Sequence, residues 1–461
     1  MAGHRNRAGL LQRLVGEQAP GGPPAEFVRR LPPQAHGLDD RAGPIGGVTE
    51  PGAQTTEVGQ QRGVGQRAFR GGRERLVAGR SGQPGHVVDR EAVGHVPIGP
   101  PRRLGSVGVR RGAVAGVVVA VVLATGGAIG WHLATRAPVV ELLPPRSAAV
   151  AVSAVSAAAA HVTAVPGVAV GAVVDGQVAW IGQAGVPAGT VFQAGSISKT
   201  VAAATVLTLA GQGRLDLDAP VTSMLRSWSP AGFPHPERVT LRALLSHTAG
   251  IDTAGYLGEP ADRPLPMTAD SLAGATTGAP VRQSLRPGSY AYSGGGYTIA
   301  QQVVEDVTGR PFAEVARSEF LQPTGLTDSG YGCTQEAETH PRDTAGHLAD
   351  GTPAPRYRYV EAAAAGWCTT AADLTRLAAW LASNDPRAVD MRSPAAGTDG
   401  RYGLGVERWG SDVVGHPGVN RGFHADLWVR PAAGAALVVL TNGDDGGRAA
   451  DAIRDAWNDA A

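Results

Sequence analysis

Apolar and polar positions change their rhythm along this chain. Over 1–111 they show no sustained period of 3.6 or 2, so no packed core is expected there. From about residue 150 onward, periodic segments follow one another. The run "GVAVGAVVDGQVAWIG" holds two apolar stretches around Asp175-Gly176, a hairpin signal. "SKTVAAATVLTLAGQGRL" has helical spacing and stops near Gly211 to Gly213. Its first turns are almost wholly apolar, which predicts a buried central helix. "TLRALLSHTAGI" reads as a short amphipathic helix running into a turn. "YTIAQQVVEDVTGRPFAEVARSEFL" gives two helical stretches split by Gly309-Arg310-Pro311, and "AADLTRLAAWLAS" gives another. "FHADLWVRPAAGAALVVLTN" is two strands around a Pro/Gly turn, and "RAADAIRDAWNDA" a closing helix. Strands come first, helices follow, and strands and a helix end the chain. The expected class is α+β: one antiparallel sheet built from both ends of the domain, flanked by helices, with a mostly helical region inserted.

Composition divides the chain before that domain. Residues 1–111 are rich in Arg, Gly and Pro and read as a disordered tail, or as translated GC-rich DNA ahead of a start near Val109. Gly112 to Leu133 is a run of 22 residues with one His and no charge, long enough to span a bilayer. Arg102, Arg103, Arg110 and Arg111 precede it and Arg136 follows, which orients the C-terminal part outward if the run is an anchor. A cleaved signal or a buried helix are the other readings. "ELLPPRSAAV" and its surroundings, 134–150, read as a linker to a domain at 151–461. The catalytic part is thus expected outside the cytoplasm, membrane-anchored or secreted.

Net charge is +1, so no general attraction to nucleic acid or to a membrane surface is implied. The two cysteines, Cys333 and Cys368, both fall in the exported part, where a disulfide between them or two buried thiols are the alternatives. CxxC and HExxH spacings are absent, and neither metal nor cofactor is expected. The sequence does not set the oligomeric state.

One residue type stands out. Lys and Arg total 41, and with a single lysine, Lys199, 40 are arginine. Arg keeps its proton in a protein, whereas a lysine amine can be tuned to release it. Ser196 lies three residues earlier at the start of the buried helix, on the same face and at its positive end. A serine with an amine one turn along is a nucleophile beside a proton acceptor; an N-cap serine with an ordinary lysine is the plain alternative. In "PGSYAYSGGGYTIAQ", Tyr292 precedes three glycines and a helix. Beside a cationic lysine its pKa would fall and it would act as a base; otherwise it is an interior tyrosine. In "VGHPGVNRGFHADLWV", His416-Pro417-Gly418 opens a strand. His416 there would bind a carboxylate or assist proton transfer, unless it is a surface-turn histidine. The amide of Val419 would pair with that of Ser196 as an oxyanion hole. No G-x-S-x-G elbow occurs, and Lys199 follows Ser198 rather than the glycine of a phosphate-binding loop.

Together these stretches resemble the serine beta-lactamase-like and penicillin-binding superfamily. "FQAGSISKT" is similar to its S-x-x-K box, "LRALLSHTAGI" to its LLxHTSGL segment and "PGSYAYSGGGYTIAQQVVEDVTG" to its Y-x-N region. "GWCTTAADLTRLAAWL" and "GHPGVNRGF" are similar to two later boxes, so the resemblance runs from about 160 to 457. It implies a beta-lactamase/transpeptidase-like fold and an acyl-enzyme on Ser196. Lys199 and Tyr292 would share the proton transfers, the Ser196 and Val419 amides would hold the oxyanion beside Gly418, and His416 would meet the substrate's carboxylate or leaving group. Two departures stand against an efficient beta-lactamase. Gly294 replaces the Asn of Y-x-N, and H-P-G replaces K-T-G. The implied substrate is a D-amino-acid peptide, as for a D,D-carboxypeptidase, or a small ester. A beta-lactam hydrolase and a non-hydrolytic cell-wall sensor are the alternatives.

Overall fold

A computed structural model of the chain describes residues 140–332 and 342–461. The expected segments 1–111 and 112–133, the first residues of the expected linker, and Cys333 lie outside the described residues. The strands are β1 (Val168–Val174), β2 (Gln177–Ala184), β3 (Phe192–Gln193), β4 (Glu259–Pro260), β5 (Gly330–Tyr331), β6 (Tyr357–Arg358), β7 (Trp367–Thr369), β8 (Glu407–Trp409), β9 (Val413–Asn420), β10 (Phe423–Arg430) and β11 (Ala435–Thr441). The helices are α1 (Ala148–Ala160), α2 (Ser198–Gly211), α3 (Leu241–Leu245), α4 (Thr268–Leu272), α5 (Gly294–Thr308), α6 (Phe312–Ala316), α7 (Ala362–Ala365), α8 (Ala371–Ala382), α9 (Pro386–Arg392) and α10 (Gly446–Asp459).

Six strands form one antiparallel sheet in the order β2-β1-β11-β10-β9-β8. Two come from the start of the domain and four from its end, as the sequence pattern predicts. β1 and β11 lie side by side inside the sheet and are buried along their whole length. Both of their faces are covered, so they read as unbroken apolar runs rather than alternating ones. The first hairpin turns at Asp175 and Gly176, with φ of 51° and 72°, the paired left-handed geometry that suits a tight hairpin between twisted strands. On one face of the sheet α8 joins the large core that contains α2 and α5. On the other, α1 and α10 close a second core around Trp180, Trp428 and Trp457.

The stretch read as a linker is, from residue 140, part of that second core. Leu142 is fully buried, and α1 already begins at Ala148 with Ser147 as its cap. Leu143 N donates to Asn458 Oδ1 at 2.8 Å, and Trp457 Nε1 donates to Leu143 O at 2.8 Å. The prolines at 144 and 145 deny the segment regular pairing, but side chains of α10 supply partners instead. α1 escapes notice because "SAAVAVSAVSAAAA" spreads small apolar residues all round the helix, leaving no stripe to recognise.

Among the described residues no helix is long and apolar enough to cross a membrane. Cys368 lies buried in β7 and is disulfide-bonded.

Trp457 is fully buried and carries one of the bonds to the 140–147 strap. Trp457→Ala is expected to cost about 3–5 kcal/mol in denaturant unfolding, the range for truncating a buried aromatic. A loss under about 1 kcal/mol would mean that the strap and α10 do not form one core with the sheet.

Candidate active site

The chain reaches Ser196 from β3 through a tight turn. Gly195–Ile197 form one 3-10 turn and α2 continues directly from it. Gly195 has φ +50° there, where a Cβ would also sit 2.5 Å from Val419 N. The turn is tied down by Ser198, whose hydroxyl donates to Gly195 O at 2.6 Å and accepts from Trp367 N at 2.8 Å. Next on the same face comes Lys199, 2% exposed. Its Nζ lies 3.0 Å from Ser196 Oγ and donates to Ala364 O at 2.8 Å. α7 carries that carbonyl. It is held in place by Gln301, which accepts from Ala363 N at 3.0 Å and donates to Val360 O at 2.9 Å.

Burial lowers Lys199 from the usual lysine value to about 7, and the charge of Glu407 opposes the shift. Desolvation disfavours an ammonium, so near neutral pH this amine is free to accept a proton. Glu407 is itself pushed up to about 7, by burial first and then by Asp426. Its Oε1 is shut off from solvent.

Tyr292 is hydrogen-bonded to Ser196 and lies with its ring centroid 5.0 Å from Lys199 Nζ. The expected lowering of its pKa is reversed. Burial pushes the phenol well above the usual tyrosine range, and the bond to Ser196 offsets only part of that. Tyr292 is therefore a proton-bearing phenol near neutral pH, suited to relay a proton rather than to remove one as a phenolate. The Lys199 amine, lowered to near neutrality, is the group fit to accept.

Two glycines let the β9 edge reach Ser196. β8 pairs only with Val413–Gly415, leaving 416–420 beyond it along that edge. A Cβ on Gly418 would lie 2.0 Å from Ala194 O and 3.2 Å from Ser196 N. Only backbone this close brings the Val419 amide near that of Ser196. Val419 itself is 49% exposed.

Gly294 opens α5, after Ser293, whose Oγ caps the helix by accepting from Gly296 N at 3.0 Å. A Cβ at 294 would lie 3.1 Å from Ala254 O and 3.3 Å from the Tyr256 ring. The 254–256 loop takes up the room an asparagine would need, and Lys199 has the Ala364 carbonyl instead.

His416 differs from its reading as a strand-opening or turn residue. It lies inside β9, 1% exposed, with Nδ1 2.6 Å from Pro417 O and Nε2 3.1 Å from Tyr402 OH. Its ring centroid is 6.0 Å from that of Tyr292. Both ring nitrogens are engaged by protein, so it is not laid open to a substrate carboxylate.

Three neighbours were not singled out from sequence. His247 accepts from Ser293 N at 3.0 Å and stacks 4.4 Å from Tyr292, fixing the segment that carries it. Its φ of +59° is a conformation in which histidine is enriched, and its place after a short apolar helix was the available signal. Tyr402 and Glu407 come from "RYGLGVERW", where nothing in the spacing marks them. Among the described residues no group of three or more His, Cys, Asp or Glu is arranged to hold a metal.

If the Lys199 amine is the proton acceptor, hydrolysis rises with pH through its pKa. Glu407 raises that pKa, so Glu407→Gln lowers it and moves the acidic limb of the pH–rate curve to lower pH. A limb that stays in place or moves upward in that variant contradicts the assignment.

The sequence profile of the beta-lactamase family matches residues 155–461. Penicillin-binding protein 4 of Amycolatopsis lactamdurans is 30% identical over 318 residues, covering 60% of this chain and 81% of that protein. Esterase EstB of Burkholderia gladioli is 34% identical over 183 residues, covering 36% of this chain and 43% of that protein. Among solved structures, a D-stereospecific amidohydrolase from a Streptomyces species aligns with a TM-score of 0.54 at 26% identity, covering 68% of this chain and 98% of the other. The D-amino acid amidase of Ochrobactrum anthropi SV3 shares the fold, with a TM-score of 0.56 at 21% identity over 67% of this chain and 99% of its own. The chain belongs to the beta-lactamase family and is a serine hydrolase of that superfamily.

Proposed function

We propose that this protein is an exported acyl-transferring hydrolase with Ser196 as nucleophile, acting on a D-amino-acid peptide or amide or on a small ester. The observation that carries the reading is the 3.0 Å contact between Ser196 Oγ and a buried Lys199 amine whose pKa lies near 7. Ser196 Oγ attacks the carbonyl carbon while its proton passes to Lys199 Nζ. The oxyanion forms between the amides of Ser196 and Val419. As the intermediate collapses, Tyr292 gives its proton to the leaving group and takes one from the Lys199 ammonium. Water then attacks the acyl-enzyme and loses a proton to Lys199, which returns it to Ser196 Oγ as the acid leaves.

Substrate choice draws on two kinds of support. The relatives' names span penicillin-binding protein, esterase and D-stereospecific amidohydrolase. The departures at Gly294 and His416 remove a side-chain amide and a lysine that a beta-lactamase would use, which favours peptides, amides and esters over beta-lactams. Export draws on the apolar run at 112–133 and its flanking arginines; the same run would supply membrane contact.

Ser196→Ala and Lys199→Arg are each expected to lower hydrolysis by at least about 10³, the scale of losing a nucleophile or its base, with the fold intact by circular dichroism. The purified protein would be assayed against p-nitrophenyl esters, D-amino-acid amides, a D-Ala-D-Ala peptide and a penicillin, with intact-mass detection of acyl adducts. An adduct at Ser196 that turns over supports the reading. A stable penicillin adduct without turnover of any other substrate favours a sensor. Activity in either variant comparable with the parent refutes the site.

A further inference from the structure

A carbonyl oxygen only accepts hydrogen bonds, so a ring nitrogen beside one carries hydrogen. His416 Nδ1 lies 2.6 Å from Pro417 O and is therefore the protonated nitrogen. In the neutral ring Nε2 can only accept, and the Tyr402 hydroxyl, 3.1 Å away, must be the donor. Tyr402 is fully buried, and burial holds its proton well above the usual tyrosine range. Beside it, the Tyr297 hydroxyl donates to Leu245 O at 2.7 Å. With the Tyr297 proton committed to that carbonyl, its oxygen is left to accept. With the Tyr402 hydrogen on His416 Nε2, the two phenol oxygens share no hydrogen in this form.

This arrangement gives His416 two forms without stranding a donor. In the neutral form Tyr402 donates to Nε2. When a proton from solution binds Nε2, that N–H donates to the Tyr402 oxygen, and the Tyr402 hydrogen turns to the Tyr297 oxygen. Nothing but a hydroxyl rotation is required of the protein. We propose that Tyr402 is a positioning residue of the Ser196 site: it donates to Nε2 of the Nδ1–H imidazole and, by turning its hydrogen to the Tyr297 oxygen, lets that ring take up a proton beside Tyr292. The catalytic consequence rests on Ser196 being the nucleophile; the tautomer does not.

The neighbours set the electrostatic setting of this step. Lys199 reaches in from α2, Glu407 from β8, and Tyr290 and Tyr292 from the segment before α5. His247, after α3, packs its ring 4.6 Å from Tyr402. On β10, Asp426 stands opposite Pro417 and is paired with His424 at 2.7 Å. A cation on His416, 6.0 Å from Tyr292 between ring centroids, eases the release of the Tyr292 proton to a leaving group.

Long-range proton–nitrogen correlation spectra of isotopically labelled full-length protein test this, with His416 assigned by its loss in His416→Gln. The parent is expected to show His416 as the Nδ1–H tautomer. Tyr402→Phe, which keeps the ring volume, is expected to keep that tautomer, because Pro417 O still holds the Nδ1 hydrogen. It should also lower the pH at which the ring titrates by about one unit, because a charged donor loses more than a neutral acceptor. Tyr297→Phe should keep the Nδ1–H tautomer yet shift the titration in the same direction. On an ester, Tyr402→Phe should reduce kcat about tenfold with KM unchanged, the pattern of a lost transition-state contribution. An Nε2–H tautomer in the parent, or a titration indifferent to Tyr402→Phe, overturns the proposal. Absence of hydrolysis in the parent would instead sink the Ser196 reading and leave the tautomer result standing.

Discussion

An amine buried in an apolar helix is the constraint around which this site is built. A fully desolvated ammonium costs several kcal/mol, and the protein relieves that cost by letting Lys199 lose its proton near neutrality. What remains is a polar group that must still be hydrogen-bonded, and it has two partners: Ser196 Oγ and the Ala364 carbonyl. The second explains why α7, only four residues long, is held so firmly by Gln301. The first makes the same residue a proton acceptor for a hydroxyl. Stability and chemistry therefore make the same demand on one side chain. An arginine at 199 would keep its charge and could not accept that proton.

The sheet serves this amine by proximity. β9 comes against the Ser196 turn because Gly195 and Gly418 lack side chains, and the approach brings the Val419 amide near that of Ser196. Around them stand several buried tyrosines and two histidines. Such a cluster keeps phenols protonated, so that hydrogen bonds rather than fixed charges hold the rings of Tyr292, Tyr297 and Tyr402 in place. Glu407 supplies the one nearby charge that acts against the desolvation of Lys199.

Much of this was legible in the sequence because it is local. Ser196 and Lys199 are one helical turn apart, and the hairpins at Asp175-Gly176 and at Pro431–Gly434 announce themselves by turn chemistry. The sheet assembled from both ends followed from the order of apolar periods. What was not legible depends on contacts distant in sequence. Tyr292 looked like a group whose pKa a cationic lysine would lower, but the surrounding protein, which no spacing reveals, reverses the sign. His416 looked like a residue opening a strand, or one in a surface turn, because Pro and Gly follow it, whereas it lies inside β9, where β10 pairs across from it. Tyr402, Glu407 and His247 matter only through where they land. The 140–147 strap was missed for the same reason, since α10, some 300 residues later, completes it.

The central claim is that Ser196 is activated by a lysine amine that is neutral at working pH. It is tested most directly by the rate at which a serine-reactive fluorophosphonate labels Ser196, mapped by peptide mass spectrometry, as a function of pH. The account predicts labelling confined to Ser196, with a rate that rises through a midpoint at about 7. A midpoint near the ordinary lysine value of 10.5, or labelling that does not depend on Lys199, would contradict it.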